Sequence, residues 1–189
     1  MPMVFVTGGV RSGKSAYAEQ FVHRLGPQLN CNRYVYVATG VATDNEMKKR
    51  INRHREDREQ AEHHWYTMEA PYSIAEALQN LQLGDIVLWD CLTTWLTNCL
   101  YEGYDRGTPC VAIPGCVDVK IARMKASVSE VNAKGIALVI VSNELQDELP
   151  YPDGETELYR RYLGELHQWF VSQAKEVYEL DYGLIKKWK

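Results

Sequence analysis

The sequence has no long hydrophobic run. Its apolar stretches extend for only a few residues, well short of the roughly 20 that a membrane-spanning helix needs. Its first residues, MPMVFVTGG, also lack the basic start of a secretory signal peptide. These two absences predict a soluble, cytoplasmic protein without a membrane span.

Positive charge is not in excess either. The chain has 21 Lys and Arg against 25 Asp and Glu, which gives a formal net charge of −4. A protein with this balance has no overall positive field to attract a phosphate backbone, so we expect no nucleic-acid partner. Any anion that the protein binds must be held by a local site.

The cysteines are few, and their number is odd. There are five, and none forms a C-x-x-C motif, so the sequence signals neither a zinc site nor a disulfide framework. We therefore expect reduced thiols, mostly buried as small hydrophobic side chains, at Cys31, Cys91, Cys99, Cys110 and Cys116.

What is present is the composition of one globular domain spanning residues 1–189, with 46% apolar residues and no repeat or linker. Short apolar runs alternate with longer helical patterns, which predicts an α/β fold with a mostly parallel sheet and helices on both faces. The predicted strands are Val4–Thr7, Tyr34–Ala38, Ile86–Trp89, Ile136–Val141 and Val177–Leu180. The predicted helices lie near 15–25, 46–58, 73–81, 92–101, 117–133 and 156–174.

Two segments predict irregular structure. Glu102–Gly115 is rich in Gly and Pro, so we expect a loop there. Asp181-Tyr182-Gly183 can turn the last strand into a short C-terminal hairpin that ends at Trp188.

Residues Gly8–Ser15 (GGVRSGKS) fit the phosphate-loop pattern G-x-x-x-x-G-K-[ST], directly after a predicted strand and before a predicted helix. Glycines let backbone N–H groups turn toward phosphate oxygens at a helix N-terminus. Lys14 adds a charge for the terminal phosphates, and the Ser15 hydroxyl suits magnesium. A glycine-rich connecting turn would explain the glycines, but it would not explain Lys14-Ser15.

Asp90 closes the apolar run Ile86–Trp89, as the carboxylate of a Walker B element does when it reaches magnesium or its water. The alternative is that Asp90 caps the helix that follows. Its combination with the phosphate loop favours the magnesium role.

A polar stripe recurs at every fourth position over Glu46, Arg50, His54 and Arg58. On a helix, Arg50 and Arg58 would each lie one turn from His54, about 5.4 Å along the axis. Their positive charges oppose protonation of His54 and keep it neutral and nucleophilic at pH 7. The stripe alone favours a solvated helix in which His54 is incidental. The other histidines, at His23, His63, His64 and His167, are interpreted as surface or structural residues.

Together these motifs resemble the bifunctional adenosylcobinamide kinase/adenosylcobinamide-phosphate guanylyltransferase family of cobalamin biosynthesis. The similarity covers most of the chain, and the His54 segment and the DCLTTWLTN stretch are its most specific parts. The segments that carry it are Val6–Ser15, Tyr36–Thr39, Asp44–Met47, Arg50–His54 with Arg58, the spaced Trp65, Thr67 and Glu69, Asp90–Asn98, and Val141–Glu144. The chain departs from the family pattern at Gln146, Arg161 and His167, so we expect either an altered substrate range or the weakening of one of the two activities.

The resemblance implies a RecA-like sheet that carries two reactions. ATP or GTP phosphorylates the corrinoid alcohol, and GMP then passes from GTP to that phosphate through a covalent guanylyl group on His54. The implied catalytic residues are His54, Lys14 and Asp90, and the implied ligands of Mg²⁺ are Ser15 and Asp90. The implied nucleotide-binding residues are Gly8, Gly9, Val10, Arg11, Ser12, Gly13, Lys14, Ser15, Ala38, Thr39, Gly40, Arg50, Arg55, Glu56, Asp57, Arg58, Glu69 and Asp90.

The resemblance also implies a homo-oligomer, specifically a trimer, with corrinoid and nucleotide substrates as its small-molecule partners. Two other functions stay open. One is a phosphate-loop kinase of another small alcohol or nucleotide that forms no GMP adduct. The other is a nucleotide-dependent switch or RecA-like ATPase, which the absence of an N/T-K-x-D guanine signature disfavours.

Overall fold

The structure is a computed structural model that describes residues 2–41, 64–144 and 154–189. Seven strands in these ranges form one sheet, in the spatial order β3-β2-β4-β5-β1-β6-β7. All neighbours pair in parallel except β6 and β7, which are antiparallel. The strands are β1 (Met3–Gly8), β2 (Arg33–Ala38), β3 (Trp65–Glu69), β4 (Asp85–Asp90), β5 (Ala137–Asn143), β6 (Glu176–Asp181) and β7 (Leu184–Lys187).

The helices lie in two layers, one on each face of the sheet. The α-helices in the described ranges are α1 (Lys14–Leu29), α2 (Ile74–Gln79), α3 (Leu92–Tyr101), α4 (Cys116–Ala133) and α5 (Gly154–Gln173). Ala18 and Val22 of α1 pack on one face, whereas α2 to α5 pack on the other. None of these helices combines the length and the apolar character that a membrane crossing requires.

The central strands are buried on both sides, which explains their continuous apolar runs. On β1, Phe5 belongs to the core beneath α2 to α5, whereas Val4 and Val6 belong to the core beneath α1. The larger core is rich in aromatic rings: Trp89 lies 5.9 Å from Trp95 and 6.0 Å from Phe170, ring centroid to ring centroid, in edge-to-face contact. The sheet is therefore held rigidly on both faces, and this fixes where its strand ends lie.

The sequence predictions of secondary structure are largely confirmed. All five predicted strands are present, and the C-terminal hairpin forms between β6 and β7. Strand β3 was not predicted, because it is a five-residue edge strand whose side chains are half-buried or exposed, so that it has no apolar run. The predicted helix at 46–58 lies outside the described residues.

The prediction that all cysteines are reduced is wrong for one pair. A disulfide joins Cys110, in the Glu102–Gly115 loop, to Cys116, the first residue of α4, and the loop is irregular as expected. A 3₁₀ turn at Cys110–Ala112 folds the chain back and brings the two Cα atoms to 5.5 Å, within the range of a disulfide. The other three, Cys31, Cys91 and Cys99, are free thiols, as predicted.

Candidate active site

The carboxyl ends of β1 to β5 meet at one edge of the sheet, where open parallel sheets bind their ligands. The strand register places Gly8 beside Asn143, and it places Ala38 between Asp90 and Glu69. Four of the predicted site residues therefore lie at this one edge.

The phosphate loop connects the end of β1 to the start of α1. Gly13 precedes the helix in the left-handed region, with φ at 90°, and Arg11 has φ at 62°. A Cβ at Gly8 would lie 2.2 Å from the carbonyl oxygen of Leu180 on β6, so only glycine fits there. The free N–H groups and the dipole at the start of α1 make this loop suitable for an anion.

Two polar side chains of the loop are buried within it. Lys14 is 7% exposed, and its Nζ donates a hydrogen bond of 3.0 Å to the carbonyl of Gly9. The Ser12 Oγ is buried and has no hydrogen-bond partner in the part of the chain that the structure describes. The Ser15 side chain is half-buried at the second position of α1. An ammonium and an unpartnered hydroxyl in one small loop fit the binding of phosphate oxygens.

Asp90 is the last residue of β4 and does not cap the next helix, because the N-cap of α3 is Cys91. The Asp90 carboxylate accepts a hydrogen bond of 3.0 Å from the hydroxyl of Tyr36 on β2. The helix-cap alternative is thus wrong for Asp90. The magnesium role remains a prediction.

Thr39 links the end of β2 to the end of β4. Its Oγ1 lies 2.8 Å from both the N and the O of Cys91, and its own N–H donates to the carbonyl of Asp90 at 3.2 Å. Its carbonyl accepts a bond from Asn98 Nδ2, which also donates to Pro71. Thr39 is fully buried, so its predicted role at the nucleotide is accompanied by a structural one.

A further polar cluster joins β4, β5 and α3, and the sequence motifs assigned it no role. Thr93 Oγ1 accepts a bond of 3.1 Å from Asn143 Nδ2 and lies 3.1 Å from the sulfur of Cys91. Tyr159 on α5 donates a longer bond, 3.4 Å, to the carbonyl of Thr93. Polar residues that directly follow a buried strand were the signal that could have identified this cluster.

Burial makes the acidic groups of this cluster weak acids. The pKa of the Cys91 thiol is raised, first by burial and then by the neighbouring charge of Asp90. Burial also raises the pKa of Tyr159 to about 12. Both groups are therefore neutral hydrogen-bonding partners at physiological pH and not nucleophiles or bases.

The interpretation of His167 as an ordinary structural or surface residue is incomplete. It is buried on α5, its Nε2 lies 2.8 Å from Ser142 Oγ, and its Nδ1 lies 3.5 Å from Glu144 Oε2. Ser142 and Glu144 lie at the end of β5, next to the phosphate loop. The chain fold thus brings His167 to the candidate site.

Not every predicted site residue can be placed. Gly40 follows Thr39 and is exposed, and Glu69 ends β3 with its side chain exposed. The described ranges do not include the predicted residues of the polar stripe, namely Arg50, His54, Arg55, Glu56, Asp57 and Arg58.

Ser15 and Asp90 fit a magnesium ion in the kind of donor that they offer, because a hydroxyl and a carboxylate are hard oxygen ligands. Within residues 2–41, 64–144 and 154–189, no group of three or more His, Cys, Asp or Glu side chains could hold a metal by itself. Magnesium bound here would depend on phosphate oxygens of the nucleotide as additional ligands.

Comparison with known proteins identifies the family that this chain matches. The sequence model of the cobinamide kinase / cobinamide phosphate guanyltransferase family matches residues 4–187. The bifunctional adenosylcobalamin biosynthesis protein CobU of Salmonella typhimurium is 30% identical over 96% of this chain and 97% of its own length. CobU of Escherichia coli is 29% identical over the same shares.

Among solved structures, an ATPase of a type III secretion system aligns over 98% of this chain and 56% of the ATPase chain. The TM-score is 0.51 and the identity is 12%. This likeness concerns the fold alone, and it confirms the RecA-like, mostly parallel sheet.

Proposed function

The chain belongs to the cobinamide kinase / cobinamide phosphate guanyltransferase family. From that premise we propose that it catalyses the two reactions in the family's name, which are steps of cobalamin biosynthesis. In the first, ATP or GTP phosphorylates the hydroxyl of adenosylcobinamide. In the second, GTP transfers GMP to that phosphate to give adenosylcobinamide-GDP, and pyrophosphate leaves. The substrates are a corrinoid and a nucleotide, and the proposal includes no nucleic acid.

The observation that carries the proposal is the phosphate loop, in a chain that matches this family over residues 4–187. Its glycine-only position at Gly8, the buried ammonium of Lys14 and the hydroxyl of Ser12, which has no partner among the described residues, form a cradle for a triphosphate. In this proposal Lys14 stabilises charge that develops on the transferred group. Mg²⁺ held by Ser15, Asp90 and the phosphates would neutralise negative charge on the β- and γ-phosphates.

In the second reaction we assign the nucleophile to His54. A neutral imidazole attacks the α-phosphorus of GTP, pyrophosphate leaves, and the guanylyl group stays on the ring nitrogen. The phosphorylated corrinoid then displaces the imidazole. This route divides one difficult transfer into two displacements, and Arg50 and Arg58 would keep the imidazole uncharged. We also propose a homotrimer, as the family resemblance implies, and a cytoplasmic location, as the sequence predicts.

The test uses GTP labelled on the α-phosphate. We expect an acid-labile label on the wild-type protein and none on His54→Asn, which should still phosphorylate adenosylcobinamide. His64→Asn is the matched control and should keep the label. A label that persists in His54→Asn, or that arises from γ-labelled GTP, would contradict the assignment of His54.

The alternative kinase of another alcohol or nucleotide makes a different prediction. It would transfer phosphate from ATP or GTP to its acceptor and form no adduct with α-labelled GTP. A switch or RecA-like ATPase would hydrolyse nucleotide without any small acceptor. Product analysis with adenosylcobinamide present and absent distinguishes all three.

A further inference from the structure

Glu144 lies between the two parts of the site that serve the nucleotide. It directly follows β5, and β5 lies between β1, which leads into the phosphate loop, and β4, which ends in Asp90. The Glu144 N–H donates a hydrogen bond of 2.9 Å to the carbonyl of Gly8, the first loop residue. The backbone of Glu144 is thus attached to the phosphate loop.

The side chain of Glu144 is partly open to solvent, at 22% exposure, and one oxygen faces a histidine that is almost buried. His167 Nδ1 lies 3.5 Å from Glu144 Oε2, and its Nε2 lies 2.8 Å from Ser142 Oγ. One neutral tautomer is compatible with both contacts: Nδ1 carries the proton on the side of the carboxylate, and Nε2 accepts the Ser142 hydroxyl. The Nδ1 contact, at 3.5 Å, is longer than a typical hydrogen bond. The edge of Phe5 packs against the ring at 5.2 Å between centroids and fixes its plane.

A serine, a histidine and a carboxylate in a row also occur in acyl-transfer enzymes, where the serine is the nucleophile. That role does not fit here, because Ser142 is fully buried within β5 and a substrate cannot reach its hydroxyl. The accessible end of the row is the carboxylate of Glu144. Ser142 and His167 therefore orient Glu144, and the reactive group is the acid.

We propose that Glu144 is the general base of the phosphorylation step and that His167 is its positioning residue. This inference rests on the proposed function. The acceptor hydroxyl oxygen attacks the γ-phosphorus while its proton passes to a carboxylate oxygen of Glu144. The bond from the γ-phosphorus to the bridging oxygen breaks, and the nucleoside diphosphate leaves with the electron pair. Glu144 then releases the proton to solvent.

Asp90 is another carboxylate at this edge, and it is less suited to the task. It ends β4, two strands away from β1, whereas the backbone of Glu144 bonds to the first residue of the phosphate loop. Asp90 is also the residue that the family resemblance assigns to magnesium. A carboxylate that binds a cation is a weaker proton acceptor.

The first experiment replaces Glu144 by Gln in the full chain and measures the two half-reactions separately. We expect kcat for phosphorylation of adenosylcobinamide to fall about 10²- to 10⁴-fold, the usual contribution of a general base. The dissociation constant for GTP and the rate of guanylyl transfer to preformed adenosylcobinamide phosphate should stay within about three-fold of wild type. Glu144→Asp, which keeps the carboxylate, should recover part of the rate.

The matched control is Glu130→Gln on α4, where an exposed glutamate is paired with Lys134. It makes the same chemical change away from the site and should leave both half-reactions unchanged. If Glu144→Gln phosphorylates at the wild-type rate, or if it loses both half-reactions equally, Glu144 is not the base. If the wild type performs neither half-reaction, the proposed function fails, and this inference fails with it.

The second experiment tests His167 with two amides. The amide nitrogen of Asn overlies the histidine Nδ1, so His167→Asn keeps a donor for Glu144. The amide of Gln overlies Nε2, so His167→Gln keeps the contact with Ser142 and loses the one with Glu144. We expect His167→Gln to lower kcat of phosphorylation at least ten-fold with KM for GTP unchanged, and His167→Asn to stay near wild type. Equal loss in both variants would show a merely structural role for His167.

Discussion

The phosphate loop and the ends of β4 and β5 lie at the same edge of one sheet, yet they are built in different ways. The loop is shaped by its main chain, because it has glycines at positions where a side chain is excluded or the backbone is left-handed. At the ends of β2, β4 and β5, a network of side chains makes the links: Thr39 Oγ1 bonds the backbone of Cys91, and Thr93 Oγ1 contacts both the Cys91 sulfur and Asn143 Nδ2. The loop residues are consecutive in the chain, although Gly8 also packs against Leu180 of β6, whereas the linked residues at the strand ends lie far apart in the sequence.

This difference predicts that substitutions in the phosphate loop destabilise the protein most. Gly8→Ala would place a Cβ 2.2 Å from the Leu180 carbonyl and 2.9 Å from Ser12 Oγ, so β1 or β6 must move. We expect a loss of at least about 3 kcal/mol in the free energy of unfolding, with GTP affinity lost as the loop shifts. Urea denaturation and GTP titration measure both effects.

Gly9→Ala is the matched control for that substitution. A Cβ at Gly9 would have no atom within 4 Å, so its cost in unfolding free energy should stay below about 1 kcal/mol. Equal destabilisation by the two variants would contradict the claim that close backbone approach makes Gly8 essential.

Removing one member of the side-chain network should reduce the free energy of unfolding by less than Gly8→Ala does. Thr39→Val keeps the shape of the side chain but removes the oxygen that bonds both the N–H and the C=O of Cys91. The Cys91 N–H then loses this partner, whereas its C=O keeps the bond of 3.1 Å from the Trp95 N–H. We expect a loss of about 2 kcal/mol in the free energy of unfolding.

Thr39→Ser is the control, because it keeps the hydroxyl and loses only a methyl group. Its cost should be about 1 kcal/mol, clearly below that of Thr39→Val in the same chemical denaturation. If the two variants are equally stable, the hydroxyl does not hold β2 and β4 together.

The same difference explains what the sequence could predict. The phosphate loop was recognised because its glycines, Lys14 and Ser15 are consecutive and follow an apolar strand. The place of Asp90 at the end of β4 was predicted for a similar reason. The bonds between Thr39 and Cys91, or between Ser142 and His167, join residues 25 or more positions apart, and no local pattern reports them. Strand β3 and the Cys110–Cys116 bond were missed because both depend on packing and on chain reversal, not on periodicity.

Cys91 offers a chemical probe of the side-chain network. Burial raises the pKa of its thiol, and the charge of Asp90 raises it further, so little thiolate is present at pH 8. We expect slow alkylation of Cys91 by iodoacetamide in the wild type. Asp90→Asn should accelerate it a few-fold, because the like charge is removed. Mass spectrometry of the Cys91 peptide gives the rate, and an unchanged rate would show that Asp90 does not act on the thiol.

We expect the smallest effect on stability at β6, which pairs with β1 on the side opposite β5. Glu176 on β6 has a pKa lowered mainly by its hydrogen bond from Lys187 on β7 and also by the Tyr178 hydroxyl. A carboxylate with a lowered pKa in the folded state adds stability above its ordinary pKa of 4.5, and this stability is lost as the pH falls through the folded value. The Lys187 side chain is 53% exposed, so Lys187→Met should cost only about 0.5 kcal/mol at pH 7. Chemical denaturation at pH 7 and pH 3 should show this difference shrink at the lower pH. A difference of the same size at both pH values would mean that Lys187 stabilises the hairpin by packing and not through Glu176.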